Sequence, residues 1–237
     1  MNLDNGFRRL AGWTAVFSAP LAYGTLIISF VGIGGDMGSF DTAVNQNAAT
    51  ILPLLAQKPH LPLWSSLFDF FGFYLLLLPL AIYLWYWLHP QRGAWATLFT
   101  VCGLGYLLFG ALGAAVLAVL FPAQAVLYGQ TSGVEQQIAL AMFTAVGDAV
   151  QRAVWGILDP ILAGVWWAGM GWLLRDKRAW LGWGTLGLGL VNLLSGLSAA
   201  FQFDSLANVA LVIYFILAPL WAGWMGVDLL RQRQSLT

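Results

Sequence analysis

The sequence predicts an all-α, polytopic membrane protein of six transmembrane helices with both termini on the cytoplasmic side. Three observations predict it. First, 60% of the 237 residues are hydrophobic and only 8% are charged, where a soluble domain carries roughly 25%. The mean hydropathy of +0.77 agrees. Second, a span needs about 20 apolar residues, and six runs qualify, near 10–33, 63–87, 94–121, 153–174, 179–201 and 206–230. Third, if all six runs cross, Arg8, Arg9, Arg92, Arg175, Lys177, Arg178, Arg231 and Arg233 share one side, and Lys58 falls on the other. Basic residues in short loops mark the cytoplasmic face. The length suits one six-span domain covering 1–237.

The belt residues fit this order. Trp13, Trp95 and Trp180 open outgoing spans, and Trp85, Trp87 and Trp172 close incoming ones, as ring amphipathicity favours at a membrane interface. Spans three and five carry small residues: Gly103, Gly105, Gly110 and Gly113, then Gly182, Gly189, Ser195 and Gly196. These suggest close helix contact, because packing replaces the hydrophobic driving force in lipid. Pro79 and Pro219 are expected to kink spans two and six. The first run comes after Arg8 and Arg9 and is long enough to remain as a span, so no cleavable signal peptide is expected.

Two segments are expected outside. Asp41 can cap a helix from Thr42 to residue 57, with Phe40, Val44, Ala48, Ile51 and Leu55 at helical spacing and a bend at Pro53. Pro122 should mark the exit from span three. Ser132-Gly-Val-Glu135 has the form of a capping box, so a second outer helix over 133–146 is expected. A helix running on from there to Leu174 would be roughly 60 Å long, twice a bilayer core. A break near Gly147, or a first third outside the core, is therefore required. The two outer helices would form a partial lid.

The candidate site lies on span four. Asp148, Arg152, Trp155 and Asp159 are spaced four, three and four apart, which on an α-helix is one stripe. Asp69 lies two turns inside the outer end of span two, behind Ser65 and Ser66. Asp204 and Asn208 open span six, Gln202 closes span five, and Asn192 sits deeper. All except Asn192 fall in the outer third, which suggests a polar vestibule open outward. The ligand-binding candidates are thus Asp69, Asp148, Arg152, Asp159, Asn192 and Asp204. Each has a structural reading: Asp148 with Arg152 as a surface pair, Asp159 as a cap before Pro160, Asp69 as a partner of Arg152, Asp204 as a cap and Asn192 as a helix-helix bond. Three acids against one base leave a charge that water, a cation or a proton must balance.

Several functions are excluded by composition. His60 and His89 sit on opposite faces and cannot jointly ligate a haem. No span holds a histidine for a Ser–His protease or a lysine for a retinal Schiff base. Cys102 is the single cysteine, so neither a disulfide framework nor a cysteine metal site is available. No phosphate-binding Gly-rich loop, di-iron motif, channel-filter signature or basic face for nucleic acid occurs.

Short motifs run through most of the chain: Arg9-Leu10-Ala11-Gly12, Ala48 with Ile51 and Leu52, Leu67-Phe68-Asp69, Leu88-His89-Pro90 and Gly147-Asp148-Ala149. In these the sequence resembles a loosely defined bacterial family of six-span membrane proteins known only as a domain of unknown function. That family commonly has a basic residue before the proline, and Arg152 and Asp159 depart from it. The resemblance implies the six-span architecture and a bacterial inner membrane, and no reaction.

The expectation is a protein that binds or moves a small or lipophilic ligand through the vestibule. A second reading is an accessory subunit of a larger membrane complex, since 13 tryptophans and 15 phenylalanines offer surface for partner helices or pigments. A third is an acid–base enzyme acting on a lipid or isoprenoid. No metal and no dedicated cofactor is expected; a bound lipid or pigment suits the composition. The expected partners are the lipid bilayer and other membrane subunits, with no nucleic acid.

Overall fold

The computed structural model describes residues 5–32 and 48–232, and every regular element among them is helical. Helix α1 spans Asn5–Gly32, α2 Ala48–Gln57 and α3 Leu61–Asp69. A π-helical segment, Phe70–Tyr74, and a 3₁₀ turn, Leu75–Leu77, lead into α4, Leu78–Gln130. Helix α5 spans Val134–Gly147 and passes into a second π-helical segment, Asp148–Leu158. The last three helices are α6 (Asp159–Leu174), α7 (Ala179–Ala200) and α8 (Asp204–Arg231). The expected cap at Asp41 lies outside the described residues.

Five helical stretches are long and apolar enough to cross a membrane. The second, Leu61–Gln130, is 70 residues long and is not straight. Arg92 (φ −133°, ψ 20°) and Gly93 (φ 10°, ψ −91°) leave helical geometry. In a straight helix, residues twelve apart lie about 18 Å apart, yet Trp85 Nε1 donates to Thr97 Oγ1 at 3.1 Å. The chain therefore doubles back at Arg92–Gly93, and its two arms pack side by side.

Helix ends depart from expectation at Pro122 and Ser132. Pro122 does not end its helix; α4 continues to Gln130. The capping box at Ser132 is not formed: Gly133, at φ 65°, is the N-cap, and no side chain caps the helix. Ser132 therefore lies one residue too early, and Glu135 serves only as an acid in the first turn, where the helix dipole favours it. Of the two alternatives for 133–174, the break near Gly147 is not taken: Gly147 and Asp148 keep right-handed helical angles as the helix passes into π geometry. The break expected in span two at Pro79 falls in the turn before it, where Tyr74 (φ −126°, ψ −75°) leaves helical geometry and a 3₁₀ turn leads into α4.

Helix α1 packs on α8 and α3, α6 on α7 and on α4, and α7 on α8. The small residues act in two different ways. On α7 they admit backbone: a Cβ on Gly189 would stand 2.1 Å from Ala168 N, and one on Gly182 2.5 Å from the Arg175 backbone. On α4 they admit rings: a Cβ on Gly103 would strike Trp166 and one on Gly110 would strike Tyr74. The main core is an aromatic cluster around Trp166, Trp167, Tyr106, Tyr214 and Trp221. A second, smaller core joins α2 and α5 to the far part of α4 through Leu52, Leu55, Leu117, Phe121 and Phe143. Phe121 and Phe143 stack at 4.2 Å.

One end of the bundle gathers the basic residues. Arg8 donates to the Gln232 carbonyl, Arg178 pairs with Asp228, and Arg92 pairs with Asp176 at 3.1 Å. Lys177 lies 5.1 Å from the Trp87 ring centre, and partial desolvation lowers its pKa.

Candidate functional site

At the other end a cavity of about 330 Å³ opens between α1, α3, the second π segment and α8, beneath α2 and α5. Its mouth carries Ser29, Ser65, Thr144 and Asp148, none of them buried. Its depth carries Ser66, Asp69, Tyr74, Tyr106, Asp159, Asn192 and Tyr214, all buried. Leu55, Leu117, Phe121, Leu211 and Phe215 supply apolar wall.

The two buried acids sit where the helices change type. Asp69 is the last residue of α3 before the π segment Phe70–Tyr74. Asp159 is the first residue of α6 after the π segment Asp148–Leu158. A π turn widens the helix by one residue and redirects the side chains beyond it, and such turns gather at functional sites. Pro160 gives a local reason for the second one, since its missing amide leaves a carbonyl of the preceding turn unclaimed. Gly72 gives a packing reason for the first. A Cβ there would lie 2.4 Å from Ala22 N, so the π segment rests directly on the α1 backbone.

The stripe expected on span four survives in part across the π segment. Asp148, Trp155 and Asp159 line the cavity together, and Arg152 alone turns away from it. Arg152 pairs with Asp148 at 3.3 Å, both largely exposed at 68% and 47%. Arg152 does not line the cavity, and it is not the partner of Asp69. Asp159 is 5% exposed and caps no helix end. Asp204 is exposed in the first turn of α8, makes no cap and lies away from the cavity. Asn192 lines the cavity and donates from Nδ2 to Leu188 O at 2.9 Å. Of the six candidates, the cavity thus brings together Asp69, Asp159 and Asn192 in its depth and Asp148 at its mouth.

The hydrogen bonds are lopsided. Tyr74 OH donates to Asp159 Oδ2 at 3.1 Å. Tyr106 OH donates to Phe73 O at 2.8 Å and lies 3.1 Å from Tyr214 OH. A phenol has one proton, so Tyr214 is then the donor to Tyr106. Trp155 Nε1 donates to Gly110 O at 3.3 Å. These ring donors are therefore committed to protein. Asp69 Oδ2 and Asp159 Oδ1 are buried and have no hydrogen-bond partner among the described residues. Among those residues no lysine, arginine or histidine lines the cavity, and no cluster of His, Cys, Asp and Glu suits a metal ion.

Sequence reasoning missed Tyr74, Tyr106 and Tyr214. Their signal was a phenol deep inside an apolar run, where its hydroxyl requires a partner. No protein-family model, curated protein or solved structure matches the chain.

Proposed function

We propose that this chain is a six-span protein of a bacterial inner membrane that binds, or passes on, a small and mainly apolar ligand in the cavity between α1, α3, α6 and α8. In this reading the hairpin Leu61–Gln130 supplies two of the six crossings, and the basic end faces the cytoplasm by the positive-inside rule. The observation that carries the reading is the pair of unpartnered oxygens, Asp69 Oδ2 and Asp159 Oδ1, in an apolar cavity. A buried polar atom without a partner costs about 1–3 kcal/mol, and a ligand is one way to recover it. The volume, about 330 Å³, is at the lower end of the roughly 300–1,000 Å³ of small-molecule pockets. The exposed mouth and buried depth support entry from the end opposite the basic cluster.

The test is extraction. Protein purified in mild detergent should release a small molecule seen by mass spectrometry at near one equivalent. Leu211→Trp, which fills the half-buried wall of the cavity, should release far less. Equal amounts from both proteins would refute the reading. The acid–base enzyme draws on the same two carboxyls and is separated from simple binding by whether an added molecule returns unchanged.

A further inference from the structure

We propose that the cavity selects a lipophilic ammonium: a single positive charge on an apolar body. The inference rests on the reading of the cavity as a ligand site and names the chemistry that site accepts. Three observations converge on it.

The first is the balance of donors and acceptors. The phenols of Tyr74, Tyr106 and Tyr214 and the indole of Trp155 already donate to protein acceptors. Of the residues that line the cavity, the buried side-chain atoms left without any partner are two carboxyl oxygens, Asp69 Oδ2 and Asp159 Oδ1. Asp69 is 8% exposed and Asp159 5%, and both line the cavity. A ligand whose polar group is a carboxylate or phosphate would meet carboxyls where it needs donors. A ligand bringing N–H groups and positive charge would satisfy both oxygens.

The second is charge. Arg152, the arginine on the segment that leads to Asp159, is paired with Asp148 and largely exposed. The other ion pairs of the described residues lie at the opposite end, at Arg92, Arg175 and Arg178. Among the described residues no protein cation is therefore placed to neutralise Asp69 or Asp159. Buried charges are stable only when paired.

The third is the wall. Tyr74, Tyr106, Trp155 and Tyr214 surround the acids, and Tyr74 and Trp155 lie 6.5 Å apart with planes 21° from parallel. Aromatic faces attract cations, more strongly when both are removed from water. Leu117, Phe121, Leu211 and Phe215 then receive the apolar body. Carboxyls alone would suit a hydrated metal ion; carboxyls with an aromatic and aliphatic wall suit an organic cation.

The experiment uses the full chain in lipid nanodiscs, with empty nanodiscs as the blank for partitioning. Three probes share one body: 4-phenylbutylammonium, 4-phenylbutanol and 5-phenylpentanoate. Binding is read by equilibrium dialysis. The ammonium should bind saturably and at least tenfold more tightly than the alcohol or the carboxylate. Asp69→Asn and Asp159→Asn should each weaken the ammonium at least tenfold and leave the alcohol unchanged. If the alcohol binds as tightly as the ammonium, and Leu211→Trp abolishes both, the cavity is a ligand site and the ammonium assignment is wrong. If none of the three exceeds the blank, the ligand-site reading falls and the assignment with it. Should an Asn variant fail to fold by its melting curve, the three-probe ranking on wild type still decides. The ammonium could belong to a free amine or to a lipid headgroup. Adding phosphatidylethanolamine to phosphatidylglycerol nanodiscs separates these: competition with the probe marks a lipid, no competition a free amine, and either result leaves the ammonium as the recognised group.

Discussion

Replacing Gly110 with alanine should disrupt the cavity from a helix that supplies neither acid. A Cβ at Gly110 would stand 1.9 Å from Tyr74 Cε1 and 2.4 Å from Cζ. Ordinary contact begins near 3.4 Å, so the ring must retreat by about 1.5 Å to reach carbon–carbon van der Waals distance. Tyr74 is 5% exposed and packed against Tyr106 and Trp155, which leaves it little room to retreat. Overpacking of this kind costs about 1–3 kcal/mol. Moving the phenol also forfeits its hydrogen bond to Asp159, worth about 0.5–3 kcal/mol. The control is Gly184→Ala, since a Cβ there meets nothing within 4 Å. That change should be neutral or stabilise by up to about 1 kcal/mol through helix propensity. Thermal unfolding in one detergent, followed by tryptophan emission, reads both. At about 2–4 °C per kcal/mol for soluble chains of this size, Gly110→Ala should melt several degrees below Gly184→Ala. A double-mutant cycle assigns the cause. In a Tyr74→Ala background the added methyl has space, and the penalty of Gly110→Ala should largely vanish. If Gly110→Ala melts with Gly184→Ala, or if its penalty survives the loss of the Tyr74 ring, the packing argument is wrong.

Three further outcomes are expected. Leu52 is fully buried in the small core under the lid, so Leu52→Ala should cost about 2–5 kcal/mol; hydrogen exchange should quicken in Ala48–Gln57 well before α6, and uniform quickening would refute a separate lid unit. Arg152→Ala removes only an exposed i,i+4 pair, so stability should change by less than about 1 kcal/mol; a large loss of stability would restore Arg152 as a buried partner. In a Cys102→Ser background, an impermeant thiol reagent on intact cells should label Gln130→Cys and not Gln234→Cys; the reverse pattern would invert the proposed orientation and the side on which the cavity opens.

Much was legible in the sequence because long apolar runs constrain the backbone locally. A run of apolar residues without charge has few folds open to it, since each backbone group must find its partner within the span. The helices thus appear near their expected places: α1, the arms about Arg92, α6, α7 and α8. Arg8, Arg92 and Arg178 gather at one end of the bundle, as the placement of basic residues between the apolar runs led one to expect. Asp69 and Asp159 stood out because a carboxyl inside an apolar run is expensive anywhere. What the tertiary structure decided was where those side chains point. A periodicity of 3.6 put Arg152 and Asp159 on one face; the π segment Asp148–Leu158, formed between a lid helix and Pro160, sends one to the surface and the other into the cavity. Pro160 prepares the change of helix type, but packing on both sides of the turn completes it, and residues 148–158 carry no pattern that records that packing. The ring donors could not be read at all. Whether Tyr74, Tyr106 and Tyr214 offer their protons to a ligand depends on which oxygen lies about 3 Å away. Those oxygens, on Asp159, Phe73 and Tyr106, come from 33 to 108 positions along the chain.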